Sequence, residues 1–100
     1  MTPEKRVQNE IIKYLKELQN QNLPVFYERR QAGGFSYKNG IADIYAVING
    51  LHIEIEVKSK TGHQSIMQEK FQQKCERINI PYLLVNDIED FKKAIQIYLI

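Results

Sequence analysis

The sequence is poor in the residues that staple a chain or carry it through a bilayer. It has a single cysteine, Cys75, in 100 residues, so no disulfide can close within the chain and no cysteine-based zinc site can be assembled from it. That favours a reducing, intracellular setting. No stretch approaches the ~20 apolar residues of a membrane span. The opening MTPEKRVQNE has no apolar run behind its basic residues, so a cytoplasmic location is expected. Repeats, low-complexity tracts and linker-like segments are also lacking, and no domain boundary is placed. An excess of one charge is missing too. Fourteen basic residues against twelve acidic ones give a net charge of +2, with a pI near 8.7. This falls short of a DNA-coating protein and is compatible with a nucleic-acid partner.

What is present suits one small globular domain over residues 1–100, since 43% of the residues are hydrophobic and 26% charged. Thr2 can cap a helix with Pro3 at its first position. Val7, Ile11, Tyr14, Leu15 and Leu18 then recur at helical spacing until Leu23 and Pro24 end the pattern. PVFYERR, 24–30, is β-prone, and AGGFSYKNG, 32–40, reads as a mobile loop. IADIYAVI, 41–48, and LHIEIEVK, 51–58, are strands joined by Asn49-Gly50, a strong hairpin signal. A helix over 65–79 turns Met67, Phe71, Cys75 and Ile78 inward. YLLV, 82–85, reads as a strand buried on both faces, and Asn86 or Asp87 caps a last helix using Ile88, Phe91, Ile95 and Tyr98. The order is αβββαβα, with the third and fourth strands parallel or nearly neighbouring in a mixed sheet flanked by helices.

A tight turn at Asn49-Gly50 pairs Ile48 with Leu51 and fixes the whole register. Asp43 then lies opposite Glu56, Tyr45 opposite Glu54 and Val47 opposite His52, while the reverse face is wholly apolar. Two carboxylates directly opposite destabilise a ladder unless something offsets the repulsion, and a divalent cation would do so. Mg²⁺ takes oxygen ligands, commonly one or two carboxylates with water and substrate phosphate. Lys58 projects from the same face, placed to orient a water or to stabilise charge on a phosphate. Such a set can cleave phosphodiesters. The competing reading of the same residues is a charged, solvated strand face. Glu54, nearer the turn, is expected to be only a flank.

These residues resemble a family. G-I-A-D at 40–43, I-E-V-K at 55–58 and a helix with Gln68 and Phe71 are similar to the PD-(D/E)XK restriction-endonuclease-like superfamily, and within it to the virus-type replication-repair nucleases (VRR-NUC). The αβββαβ order is the core that superfamily shares, and Ala42 stands where its name-giving proline would be. The resemblance implies Mg²⁺ or Mn²⁺ bound by Asp43, Glu56 and the main-chain carbonyl of Val57, with Lys58 assisting the attacking water. It adds two helpers. Glu10, on the first helix at the edge of its apolar face, would approach the metal; otherwise it is a solvated flank. Gln68 would approach the active centre, and Ser65-x-x-Gln68 is also a capping box, so both roles stay open.

Arg29, Arg30, Lys38 and Lys60 fall on or beside the two loops that should open next to the carboxylates, with Phe35 and Tyr37 among them. The basic residues suit phosphates and the rings suit unpaired bases. His63, Gln64 and Cys75 read as loop, helix-start and core residues. The resemblance points to an endonuclease acting on structured or junction DNA in phage or prophage replication, recombination or repair. The apolar C-terminus AIQIYLI, 94–100, offers surface for a homodimer. The alternative is a non-catalytic α/β nucleic-acid-binding or protein-interaction module.

Overall fold

The structure, a computed structural model, describes residues 1–30 and 40–100. Lys38, Phe35 and Tyr37 lie outside the described residues, as does the loop expected over 32–40 apart from Gly40. The chain runs α1 (Pro3–Asn20), β1 (Val25–Arg29), β2 (Ile44–Ile48), β3 (Leu51–Val57), α2 (Ile66–Arg77), β4 (Tyr82–Val85) and α3 (Ile88–Ile95), with a short 3₁₀ turn over Gln96–Tyr98. Among the described residues the expected αβββαβα order is met.

Local chemistry starts each helix where the sequence places it. Thr2 Oγ1 accepts from Lys5 N (3.1 Å) and Pro3 follows at the first helical position. Ser65 and Gln68 form a complete capping box. Of the two candidates before α3, Asp87 is the cap, accepting from Asp90 N at 2.8 Å. Asn49 and Gly50 both have positive φ (52° and 80°), the combination a two-residue hairpin turn requires if its twist is to match that of the strands.

The sheet order is β1-β2-β3-β4. The first two pairings are antiparallel and β3–β4 is parallel. The observed pairs Ile48↔Leu51, Val47↔His52, Tyr45↔Glu54 and Ile44↔Ile55 are those the Asn-Gly turn predicts. On one face of the sheet Ile44, Ala46, Ile48, Ile53, Ile55 and Val57 pack with Ile11 and Leu15 of α1 and Phe91 and Ile95 of α3. Each of these large side chains contributes roughly 1.5–3 kcal/mol through burial. This face is the core, and it holds the hairpin rigidly from behind.

The opposite face carries α2 and the polar row, and here two expectations fail. Met67 and Ile78, expected inward, are 45% and 65% exposed. The inner side of α2 instead runs through Gln68, Phe71 and Cys75. The helix is rotated because the strand beneath it presents carboxylates at Glu54 and Glu56, which draw polar groups rather than an apolar ridge. β4 is an edge strand among the described residues, Leu84 is 44% exposed, and the continuous apolar run YLLV is not buried on both faces.

Candidate active site

The polar row of β3 is no solvated face. Glu54 and Glu56 are 3% and 1% exposed, and at such burial a carboxylate must find partners or a changed protonation state. The two residues meet this demand differently.

Glu54 is fully partnered. Arg30 grips both its oxygens, the second at 2.9 Å from Nη2, and His52 Nε2 bonds it from the side. Tyr45 stacks on the His52 ring with centroids 4.9 Å apart, and the Arg30 guanidinium sits 5.0 Å from the Tyr45 centroid. This corrects the reading of Glu54 as a flank. It also removes Arg30 from the expected phosphate contacts, since its charge is spent on Glu54 and its Nη1 donates to Ala42 O (3.0 Å). Arg29 is committed as well, donating to Gln8 Oε1 (2.9 and 3.2 Å) and Asn9 Oδ1 (2.6 Å) of α1. Both arginines lie on or just past β1, where strand geometry aims them at neighbouring elements instead of at an open loop.

Glu56 is half partnered. Gln68 Nε2 donates to its Oε2 at 3.0 Å, and Lys58 Nζ lies 3.9 Å from the same oxygen. Among the described residues no N–H or O–H donor reaches the buried Oε1. The neighbour on that side of the hairpin is Asp43, whose Oδ2 accepts from Val57 N at 3.0 Å. Between two carboxylates only a shared proton or a cation can make an attractive contact. Burial, followed by the Asp43 charge, pushes the Glu56 carboxyl up to about 8, with Lys58 pulling the other way. Burial also raises Asp43, opposed chiefly by the hydrogen bond from Val57. The register expected from the turn thus brings Asp43, Glu56 and Lys58 together.

Gln68 closes the capping box and also reaches Glu56. Its Oε1 accepts from Ser65 N (2.8 Å), Gln68 N donates to Ser65 Oγ (3.2 Å), and its Nε2 is thereby turned toward Glu56. The cap decides which end of the amide faces the carboxylate. Lys58 is fixed by main-chain ties: its N–H donates to Val85 O (3.0 Å), and its carbonyl accepts from Asn86 Nδ2 (3.0 Å). Lys60 is exposed two residues beyond. His63 is exposed, Gln64 Nε2 donates to the Tyr82 hydroxyl (3.2 Å) and Cys75 is buried, in line with their expected roles.

Glu10 is not brought to this site. It is exposed and lines a shallow groove with Lys13, Tyr14, Glu17, Ile88 and Lys92, between α1 and α3. The acid of α1 that approaches the pair is Glu4, whose Oε2 accepts from Ser59 N (3.1 Å) and whose charge raises both Asp43 and Glu56. Sequence reasoning missed Glu4 because an acid in a first helical turn has an ordinary explanation, the helix dipole. Its signal lay in topology: α1 starts at the end of the sheet where β3 finishes.

The residues present fit a hard divalent cation. The donors at this end of the hairpin are the oxygens of Asp43, Glu56 and the Val57 carbonyl, and one buried carboxylate oxygen lacks a partner among the described residues. Among the described residues no cluster of three or more His, Cys, Asp or Glu side chains is set to hold a metal. Mg²⁺ is commonly held by one or two carboxylates, with water and substrate phosphate completing its shell.

No family model matches the sequence and no curated protein does. The structure is similar to a solved VRR_NUC domain, with 23% sequence identity, a TM-score of 0.71, and coverage of 98% of this chain and 99% of that one. Likeness at this identity is a statement about fold. The chain has the VRR_NUC fold, a restriction-endonuclease-like four-stranded mixed sheet flanked by helices.

Proposed function

We propose that the protein is a divalent-metal-dependent DNA endonuclease that hydrolyses phosphodiester bonds. One observation carries this reading: Glu56, buried beside Asp43, has one oxygen held by Gln68 and the other without a donor among the described residues, in a site with a lysine 3.9 Å away. A purely structural carboxylate at such burial is surrounded by donors, as Glu54 is in the same strand.

Asp43, Glu56 and the Val57 carbonyl would hold Mg²⁺ or Mn²⁺, which supplies Lewis acidity and a water of lowered pKa. The protein's own contribution is positioning. The hairpin register sets Asp43 against Glu56, Val57 N–H fixes the Asp43 carboxylate, and Gln68 fixes the Glu56 carboxylate. Lys58 brings a positive charge to where a water attacks in line and where negative charge grows on the phosphate. Glu4 takes the place that Glu10 was expected to fill, steadying the chain after Lys58 through Ser59 N–H.

The substrate we infer is branched or otherwise structured DNA in phage or prophage replication, recombination or repair, and the acting species a homodimer. The VRR_NUC likeness supports the first. Ile97 and Ile100, exposed at the apolar C-terminus, support the second. No helix among the described residues is long and apolar enough to cross a membrane. The test is cleavage of a panel of linear, nicked, flapped and four-way DNAs with Mg²⁺ or Mn²⁺. We expect cutting that chelator abolishes and that Lys58→Ala removes without loss of fold. Cutting by Lys58→Ala at the wild-type rate, or no metal-dependent cutting at all, overturns the reading. Sedimentation showing only monomer at micromolar concentration overturns the dimer.

A further inference from the structure

We propose that Gly40 is a positioning residue for the Gln68–Glu56 contact, seating the first turn of α2 at the height above the sheet from which Gln68 reaches Glu56. The inference rests on the nuclease reading, because it matters to activity only if Glu56 does.

Gly40 is buried and has φ +68°. A Cβ at this position would stand 2.4 Å from the Met67 carbonyl carbon, 2.5 Å from its oxygen and 2.6 Å from Gln68 N. All three are backbone atoms in the first turn of α2, so no rotamer change relieves the contact. To regain ordinary van der Waals separation the turn must withdraw by about 1 Å. The Gln68 amide cannot stay behind. Its Oε1 is tied to Ser65 N at 2.8 Å, so the side chain moves with its own helix start, and the 3.0 Å bond to Glu56 stretches to about 4 Å, beyond hydrogen-bond range. Asp43, three residues on, is meanwhile held to the sheet through Val57 N–H. Gly40 is therefore the seat that brings the helix-borne part of the site down onto the strand-borne part.

The chain supplies its own control. Gly50 also has positive φ, +80°, but a Cβ there meets no heavy atom of the described residues within 4 Å. Gly50→Ala incurs the backbone strain of a left-handed residue without the clash.

The experiment compares wild type, Gly50→Ala, Gly40→Ala, Gln68→Ala and the Gly40→Ala/Gln68→Ala double variant at 10 °C in a stabilising osmolyte. Circular dichroism reports folding, kcat on a cleaved DNA reports activity, and the ¹⁵N–¹H signals of the Gln68 side-chain amide report its contact. Outer residues that orient metal ligands are commonly worth about 10–100-fold. We expect Gly50→Ala within about 2-fold of wild type, Gly40→Ala and Gln68→Ala each down by about 10–100-fold, and the double variant no more than about 3-fold below the worse single one. The Gln68 amide signals should shift in Gly40→Ala and stay in Gly50→Ala. Effects that multiply in the double variant, unmoved amide signals, or a Gly40→Ala protein that stays unfolded under these conditions would each overturn the assignment. If wild type cuts nothing, the nuclease reading fails by itself, and the amide signals still decide whether Gly40 seats the helix.

Discussion

Glu54 and Glu56 are the same residue type, two positions apart on one strand, on one face and almost equally buried, yet they sit in opposite electrostatic surroundings. Glu54 has a guanidinium and an imidazole on it. Glu56 has a carboxylate beside it, a lysine at 3.9 Å and one oxygen with no donor among the described residues. Burial alone therefore says little about role; what matters is whether the protein completes the charge by itself. Where it does, the group holds the fold together. Where it does not, burial and the neighbouring carboxylate raise the group's pKa, as they do for Glu56. The sharpest way to break the comparison is to neutralise one member of the incomplete end. Glu56→Gln or Asp43→Asn should lower metal-dependent cleavage by about 10³-fold or more, while the metal-free protein at pH 8 melts no lower than wild type and should melt higher, because a like-charge repulsion is gone. Calorimetry in chelator together with single-turnover cleavage checks both halves. A marked loss of metal-free stability in Asp43→Asn would make Asp43 structural.

The next expected effect is a pH dependence confined to the incomplete end. The folded Glu56 carboxyl lies at about 8, above its ordinary value of 4.5. A group raised on folding contributes stability that is complete below its unfolded pKa and is lost as pH rises through its folded pKa. Metal-free stability should therefore fall between about pH 4.5 and 8. With each pKa unit worth about 1.4 kcal/mol, the drop is a few kcal/mol. Asp43, also raised by burial, adds in the same direction. Denaturant titrations in chelator at pH 5 and pH 8 measure the drop, and Glu56→Gln should remove most of it. Millimolar Mg²⁺ at pH 8 should restore the lost stability in wild type and not in Glu56→Gln.

Disturbing the complete end should give the converse pattern. Glu54→Gln leaves Arg30 with one uncharged acceptor in place of a two-oxygen grip. Breaking such pairs costs 3–5 kcal/mol when both groups are deeply buried; here the Arg30 side chain keeps 20% of its exposure and its bond to Ala42 O, so about 2 kcal/mol is expected. The loss should show in the denaturation midpoint, with cleavage per folded molecule unchanged. A fall in cleavage at full folding would mean the two ends are not separable.

Much of this was legible in the residues, for a physical reason. A two-residue turn leaves one register, so Asn49-Gly50 fixed the ladder as far as Ile44↔Ile55, and the next residue, Asp43, comes to lie beside Glu56 and Val57. Alternation along β3 likewise separated the core isoleucines from the polar row. The features that escaped depend on contacts between elements distant in sequence. Glu54 looked like a flank because its partner Arg30 lies 24 residues away, and Arg30 looked like a phosphate ligand for the same reason. Glu4 and Glu10 are one helix apart from a single decision, namely which end of α1 meets the end of β3. Helical angle cannot make that choice; the position along the axis does. The rotation of α2 was hidden because Met67 and Ile78 fit an apolar stripe, whereas the strand face below it demanded Gln68.

The smallest predicted effect tests that demand most finely. Gln68 uses its two amide ends for different work, Oε1 for the helix cap and Nε2 for Glu56. Gln68→Glu separates them, since a carboxylate closes a capping box as well as an amide does but has no N–H to give. Helix α2 should stay capped, and stability at pH 5 should remain within about 0.5 kcal/mol of wild type. Glu56, by contrast, loses its orienting donor and gains a like charge. Cleavage should fall about 10-fold, near the lower end of what an outer residue is worth, while Mg²⁺ affinity, read by titration calorimetry, holds or rises because a third carboxylate has joined the site. Gln68→Ala should show a similar or larger fall in rate with an added loss of up to about 1 kcal/mol from the cap. Full activity in Gln68→Glu would show that the cap alone explains why glutamine stands there, and that the Glu56 carboxylate is oriented by the strand and Lys58 without help from the helix.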